Sequence, residues 1–268
     1  MSTPTTLKLF IRDLQVGKYH MIALACATCI LSVFGVLSYL YATNLALQLM
    51  PSGFTSHVNH DAWSNLWLFG CNPASNQPDL PFSMPTSWIG MHLLFVALPI
   101  SYVTTDYRRS GIQILTRTSR KTSWYLAKLL WTILAIMLAL MAALIPLLSQ
   151  PSIAEILFEP TRLPAYASAA ILSTSLSILV TQGSWQLGAI PTLLAYTIYL
   201  GVCAYLPSDN PLFIGSLTML CRYRAYIGEM PIACIETSAA LALLVISTLV
   251  CVLASKRDVI PGPLGECR

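Results

Sequence analysis

The chain has 268 residues, 56% of them hydrophobic and only 10% charged, with a mean hydropathy of +0.67 and a formal net charge of +4. A soluble domain of this size usually carries about a quarter charged residues, so the deficit excludes an ordinary water-soluble globule. No segment outside the apolar runs is long enough to bury a core of its own, and a single membrane domain over 1–268 is expected.

The N-terminal residues place Leu7, Phe10, Ile11 and Leu14 at helical spacing, with Lys8, Arg12 and Asp13 between them. That pattern suits an amphipathic helix lying in the membrane interface; a frayed tail is the plainer reading. Six apolar runs follow, roughly 19–41, 86–104, 124–148, 164–181, 187–206 and 231–254. Each approaches the ~20 residues needed to cross a bilayer as a helix with its backbone satisfied internally. The fold class expected is therefore all-α integral membrane with six transmembrane helices. The first run is too long for a signal-peptide core and lacks a small-x-small cleavage site, so it is expected to stay in the mature protein.

The loop 51–85 is long and rich in Asn, Ser and Pro, with Trp63 and Trp67 suited to headgroup level. Its His57, His60 and Asp61 have metal-ligand chemistry, but dispersed polar groups of this kind read as a solvated loop. Runs four and five are separated only by Gln182-Gly183-Ser184-Trp185-Gln186, which predicts a tight hairpin there. Between runs five and six, the stretch 212–227 is too short and too charged for a seventh span, carrying Arg222 and Arg224. A re-entrant or interfacial outer segment before the last span is expected.

Lysine and arginine placement sets the orientation. With the N-terminus inside, the cytoplasmic segments hold twelve basic residues, and the outer ones hold only Arg162, Arg222 and Arg224. Both termini are expected in the cytoplasm of a bacterial cell, with the chain multi-pass in its membrane.

Chemistry is scarce. There is no phosphate-binding loop: Gly17-Lys18 is followed by Tyr19, and Arg12 stands where the first glycine belongs. HExxH and GxSxG are also missing. Cys26 and Cys29 have CxxC spacing, but within an apolar run such thiols behave as small hydrophobes. Cys71 and Cys221 lie in outer segments, and whether they pair is open. His92 and Glu236 fall within spans two and six, where polar groups are costly to bury; they either line a substrate path or make structural contacts.

The most informative segment is the basic loop between spans two and three. Asp106, Arg108 and Arg109 precede the apolar turn Gly111-Ile112-Gln113-Ile114-Leu115-Thr116, and Arg117, Ser119, Arg120 and Lys121 then lead into the next span, with Lys128 near its head. Orientation accounts for the arginines but not for an apolar turn between two charged clusters. The arrangement resembles the permease subunits of ABC exporters of the type-2 class, in which a short cytoplasmic coupling helix follows an acidic or polar residue after the second span. The matching positions are Asp106, Gly111, Leu115, Arg117, Ser119, Arg120 and Lys128, although the family often carries glutamate where Asp106 stands. The resemblance extends to the amphipathic N-terminal helix, the six spans, the tight hairpin between spans four and five, and the broken outer segment before span six.

The resemblance implies a permease that is not itself an enzyme and holds no cofactor, with ATP and Mg on a separate cytoplasmic ABC ATP-binding subunit. Asp106, Gly111, Ile112, Ile114, Leu115, Arg117, Arg120 and Lys121 would then form the surface for that partner. A second permease copy or a related permease would complete the pathway, with membrane lipids around it and no nucleic-acid partner. The cargo would be amphipathic or hydrophobic: a peptide, an antibiotic or a lipid. The alternatives are a non-transporting membrane scaffold and a membrane-embedded lipid-modifying enzyme.

Overall fold

The computed structural model describes residues 5–49, 85–111, 121–149 and 163–205, together with Thr218 and isolated positions between 242 and 253. Every element among them is helical. In chain order these are α1 (Thr5–Val16), α2 (Lys18–Leu49), α3 (Thr86–Asp106) running directly into a π turn (Tyr107–Gly111), α4 (Lys121–Leu148), α5 (Leu163–Leu187) and α6 (Ala189–Tyr205). Among the described residues, three stretches are long and apolar enough to cross a membrane: Lys18–Ser38, Thr86–Arg109 and Thr122–Leu148. Ala189–Tyr205 is a shorter apolar helix. Most of the predicted sixth span, the loop 51–84 and nearly all of 206–241 fall outside the described residues.

α3 is the central helix, with a separate core on each side. On one side Met91, Phe95, Tyr102 and Val103 pack with Met21, Leu24, Trp131, Ala135, Ile136 and Ala139 of α2 and α4. On the other, Trp88, Val96 and Ile100 meet Tyr196, Leu200, Cys203 and Ala204 of α6. The outward faces are apolar as well, as at Phe34, Met141, Ile145, Leu194 and Ile198. Residues that greasy on the outside suit lipid rather than water.

α2 and α4 are matched along a seam of small residues. Ala135, Ala139 and Ala143 recur every four positions and are fully buried, which lets the two backbones approach. Thr28 Oγ1 then donates across the interface to the Ala139 carbonyl (3.1 Å), and Ser32 Oγ to the Ala143 carbonyl (2.6 Å). α5 is buried through hydroxyls instead. Ser173, Thr174, Ser175 and Ser177 each donate to the carbonyl four residues back, which satisfies them within the helix.

Two local features depart from the sequence reading. The expected hairpin at 182–186 is helical, because Ser184 bonds back to the Thr181 carbonyl and α5 continues to Leu187. The chain turns at Gly188, whose φ of +90° is a conformation only glycine adopts readily. Pro191 follows in the first turn of α6, where its missing N–H leaves no helix bond unmade. The apolar stripe read on α1 is also divided. Phe10 and Leu14 pack onto the core, while Leu7 and Ile11 remain exposed. The helix is rolled so that Asp13 points inward.

Candidate functional site: a closed ring of charges at one end of the bundle

Three segments meet where α1 ends, α3 runs out and α4 begins. α1 contributes Arg12 and Asp13, α3 contributes Tyr102 and Asp106 one helical turn apart on one face, and α4 contributes Lys128. Their charged groups form a ring of alternating sign. Arg12 Nη2 lies 2.8 Å from Asp13 Oδ1, and Lys128 Nζ lies 2.9 Å from the same oxygen. Lys128 Nζ is 2.6 Å from Asp106 Oδ2, and Arg12 Nη2 closes the ring at 2.5 Å from that oxygen. Two cations and two carboxylates sum to zero, the condition under which charges tolerate burial.

Burial is deep. Lys128 and Asp13 are each 1% exposed and Asp106 is 4% exposed; Arg12 alone keeps an open edge. Lys128 gives its third bond to the Tyr102 hydroxyl at 3.0 Å, and that hydroxyl donates to the Asp13 carbonyl at 3.4 Å. The ammonium also lies over the Tyr102 and Trp124 rings, 4.5 and 5.5 Å from their centroids, a cation–π setting for a desolvated lysine. Burial works against the charge of Arg12, but the carboxylates of Asp106 and Asp13 outweigh it and lift its pKa above the ordinary value. It stays a cation throughout the physiological range.

Packing makes the ring possible. Gly17 joins α1 to α2, and a Cβ there would come within 2.5 Å of Trp131 Nε1 and 2.9 Å of the Asp13 carbonyl. Only glycine lets α1 fold back tightly onto α4. Trp131 in turn stacks on Tyr102, their centroids 4.0 Å apart. One loose end remains: Asp13 Oδ1 takes every bond made to that carboxylate by the described residues, and Oδ2 takes none.

A cavity of about 380 Å³ adjoins the ring, lined by Arg12, Val16, His20, Tyr102, Thr105, Asp106 and Arg109. Arg109 is exposed at its edge.

Of the residues singled out from the sequence, Asp106 faces inward as a member of the ring. Gly111 ends the π turn that prolongs α3, and Lys121 is the first residue of α4. Ile112, Ile114, Leu115, Arg117 and Arg120 lie outside the described residues, as do Glu236, His57, His60, Asp61, Cys71 and Cys221. His92 is buried between α3 and α5. Its Nδ1 donates to the Trp88 carbonyl (3.0 Å), and its Nε2 lies 3.3 Å from Ser173 Oγ, so the structure gives it a role in joining two helices. Cys26 and Cys29 are not bonded to each other. Among the described residues no group of three His, Cys, Asp or Glu is placed to hold a metal.

The ring itself joins two positions picked out by the resemblance, Asp106 and Lys128, to two that it did not, Arg12 and Asp13. The signal available in the sequence was the balance: two acids and two bases near helix ends on one side of the apolar runs. Tyr102 carried no signal beyond its amphipathic chemistry.

No family model matches the chain, and no curated protein or solved structure matches it either.

Proposed function

We propose that the chain is the transmembrane permease subunit of an ATP-driven ABC exporter. It would cross the membrane six times with both termini in the cytoplasm and hand an amphipathic or hydrophobic cargo outward. ATP and Mg would be held by a separate cytoplasmic subunit, and a second permease would form the other half of the pathway. Twelve basic residues against three across the loops support the orientation.

The observation that carries the reading is the ring of charges at the roots of the basic loop. A coupling element can do work on a membrane domain only if the segments it pushes move together. Residues 112–120 leave from the end of α3 and return at the start of α4, and those two segments are tied to each other and to α1 by Asp106, Lys128, Arg12 and Asp13. Force applied to the loop would therefore reach three helices as one body rather than fraying the nearest helix end. Ile112, Ile114 and Leu115 would seat in the ATPase cleft, with Arg117, Arg120 and Lys121 facing its acidic groups.

The test is to replace Ile114 and Leu115 with Asp in the full chain and purify it from its native membrane. Loss of a co-purifying subunit bearing Walker-motif peptides, with insertion unchanged, is the expected result. Co-purification at wild-type levels would overturn the coupling assignment, and absence of any such ATPase from the wild-type preparation would favour the scaffold.

A further inference from the structure

We infer that the cavity beside the charge ring binds the phosphate group of an anionic phospholipid. Its volume, about 380 Å³, falls within the ~300–1,000 Å³ range typical of small-molecule sites. Its chemistry is that of an anion cradle. The Arg109 guanidinium pairs with no carboxylate among the described residues, and Arg12 uses only Nε and Nη2 in the ring, leaving Nη1 unengaged there. His20 Nδ1 is buried without a hydrogen-bond partner among the described residues, and Thr105 places a hydroxyl-bearing side chain in the same lining. Donors from α1, α2 and α3 thus line one space, which suits an anion with several acceptor oxygens.

Charge points the same way. Asp106 also lines the cavity, but its Oδ2 is held between Arg12 and Lys128, and the ring is neutral as a whole. Arg109 then gives the site a net positive charge. A small soluble anion would satisfy the donors alone, but the wall is also apolar, through half-exposed Val16 and the Tyr102 ring. The cavity lies at the level where the apolar stretches begin at Lys18 and end at Arg109. That is headgroup depth if these helices span a bilayer, and basic side chains there attract anionic lipid. The site depends on that membrane placement but not on transport or on an ATPase.

The experiment uses the purified full chain and native mass spectrometry with equimolar phosphatidylglycerol and phosphatidylcholine of identical acyl chains. Phosphatidylglycerol should be retained in preference, because the choline cation would face Arg109. Arg109→Gln, an exposed change outside the ring, should weaken that retention about tenfold, the scale of one lost charge-assisted bond, with the melting temperature unchanged. His20→Phe should weaken it too. Inorganic phosphate at millimolar concentration forms a second arm. If it displaces the lipid and protects wild type but not Arg109→Gln from thermal unfolding, the cradle stands and its natural ligand is a soluble phosphate. Equal retention of phosphatidylglycerol by wild type and Arg109→Gln, or no binding of either probe, overturns the site.

Discussion

Replacing Lys128 with Met keeps the length and apolar stem of the side chain and removes one charge from the ring. Three contacts vanish together: those to Asp13 at 2.9 Å, to Asp106 at 2.6 Å and to Tyr102 at 3.0 Å. Two carboxylates, 1% and 4% exposed, would then lose Lys128 together and keep Arg12 in common, and the charge of the ring would change from zero to minus one. Breaking a buried pair by removing one partner typically costs about 3–5 kcal/mol, because the surviving charge is left uncompensated. For a chain of this size that corresponds to a fall in Tm on the order of 10 °C. Thermal unfolding in detergent, followed by the fluorescence of the buried Trp88, Trp124 and Trp131, measures it directly. The double variant K128M/D13N restores neutrality, with Arg12 facing Asp106, and should recover more than half of the loss. With D13N measured alone as well, the sum of the two single losses minus the loss of the double variant is the coupling energy of the pair. A K128M protein that melts within about 2 °C of wild type, a shift of no more than roughly 1 kcal/mol on the same scale, would refute the account of a mutually dependent ring. So would a double variant whose losses simply add.

Two other outcomes follow from the packing. Gly17→Ala should destabilise the fold by about 1–3 kcal/mol, the usual range for overpacking, because the new methyl meets the fully buried Trp131 ring; limited proteolysis within α1 should accelerate in parallel. Thr28→Val with Ser32→Ala removes both hydroxyl bonds from α2 to α4. Membrane interhelical bonds average only ~0.6 kcal/mol, so this pair should lower stability by about 1 kcal/mol and leave the Lys128 effect unchanged.

The apolar helices were legible in the sequence because a helix long and apolar enough to cross a membrane carries a long, uniform signal. α2, α3 and α4 coincide with the first three apolar runs, although α2 continues to Leu49 and α3 to Asp106. The turn between α5 and α6 was misplaced for a local reason. Gln182 and Ser184 looked like loop residues, but a serine that bonds back to its own helix does not end it. Gly188 followed closely by Pro191 was the better punctuation. α1 was recognised as amphipathic, yet its inward face was not, since Arg12 and Asp13 seemed to belong to water. Their partners are 94 and 115 positions away, and no local pattern reports a pairing at that range. Asp106 and Lys128 were noticed only as parts of a loop motif, and nothing in their immediate neighbours showed that they face each other.

The sequence separation in the ring also bears on biosynthesis. Asp13 and Lys128 are 115 residues apart, so α1 cannot be fastened when it leaves the ribosome. At about 5–20 residues per second, the lysine that completes the ring is made on the order of 10 s later. During that interval Asp13 has only its neighbour Arg12 as a counter-ion, and the ring is incomplete. The ring therefore closes only once α4 has been made and packed against α1.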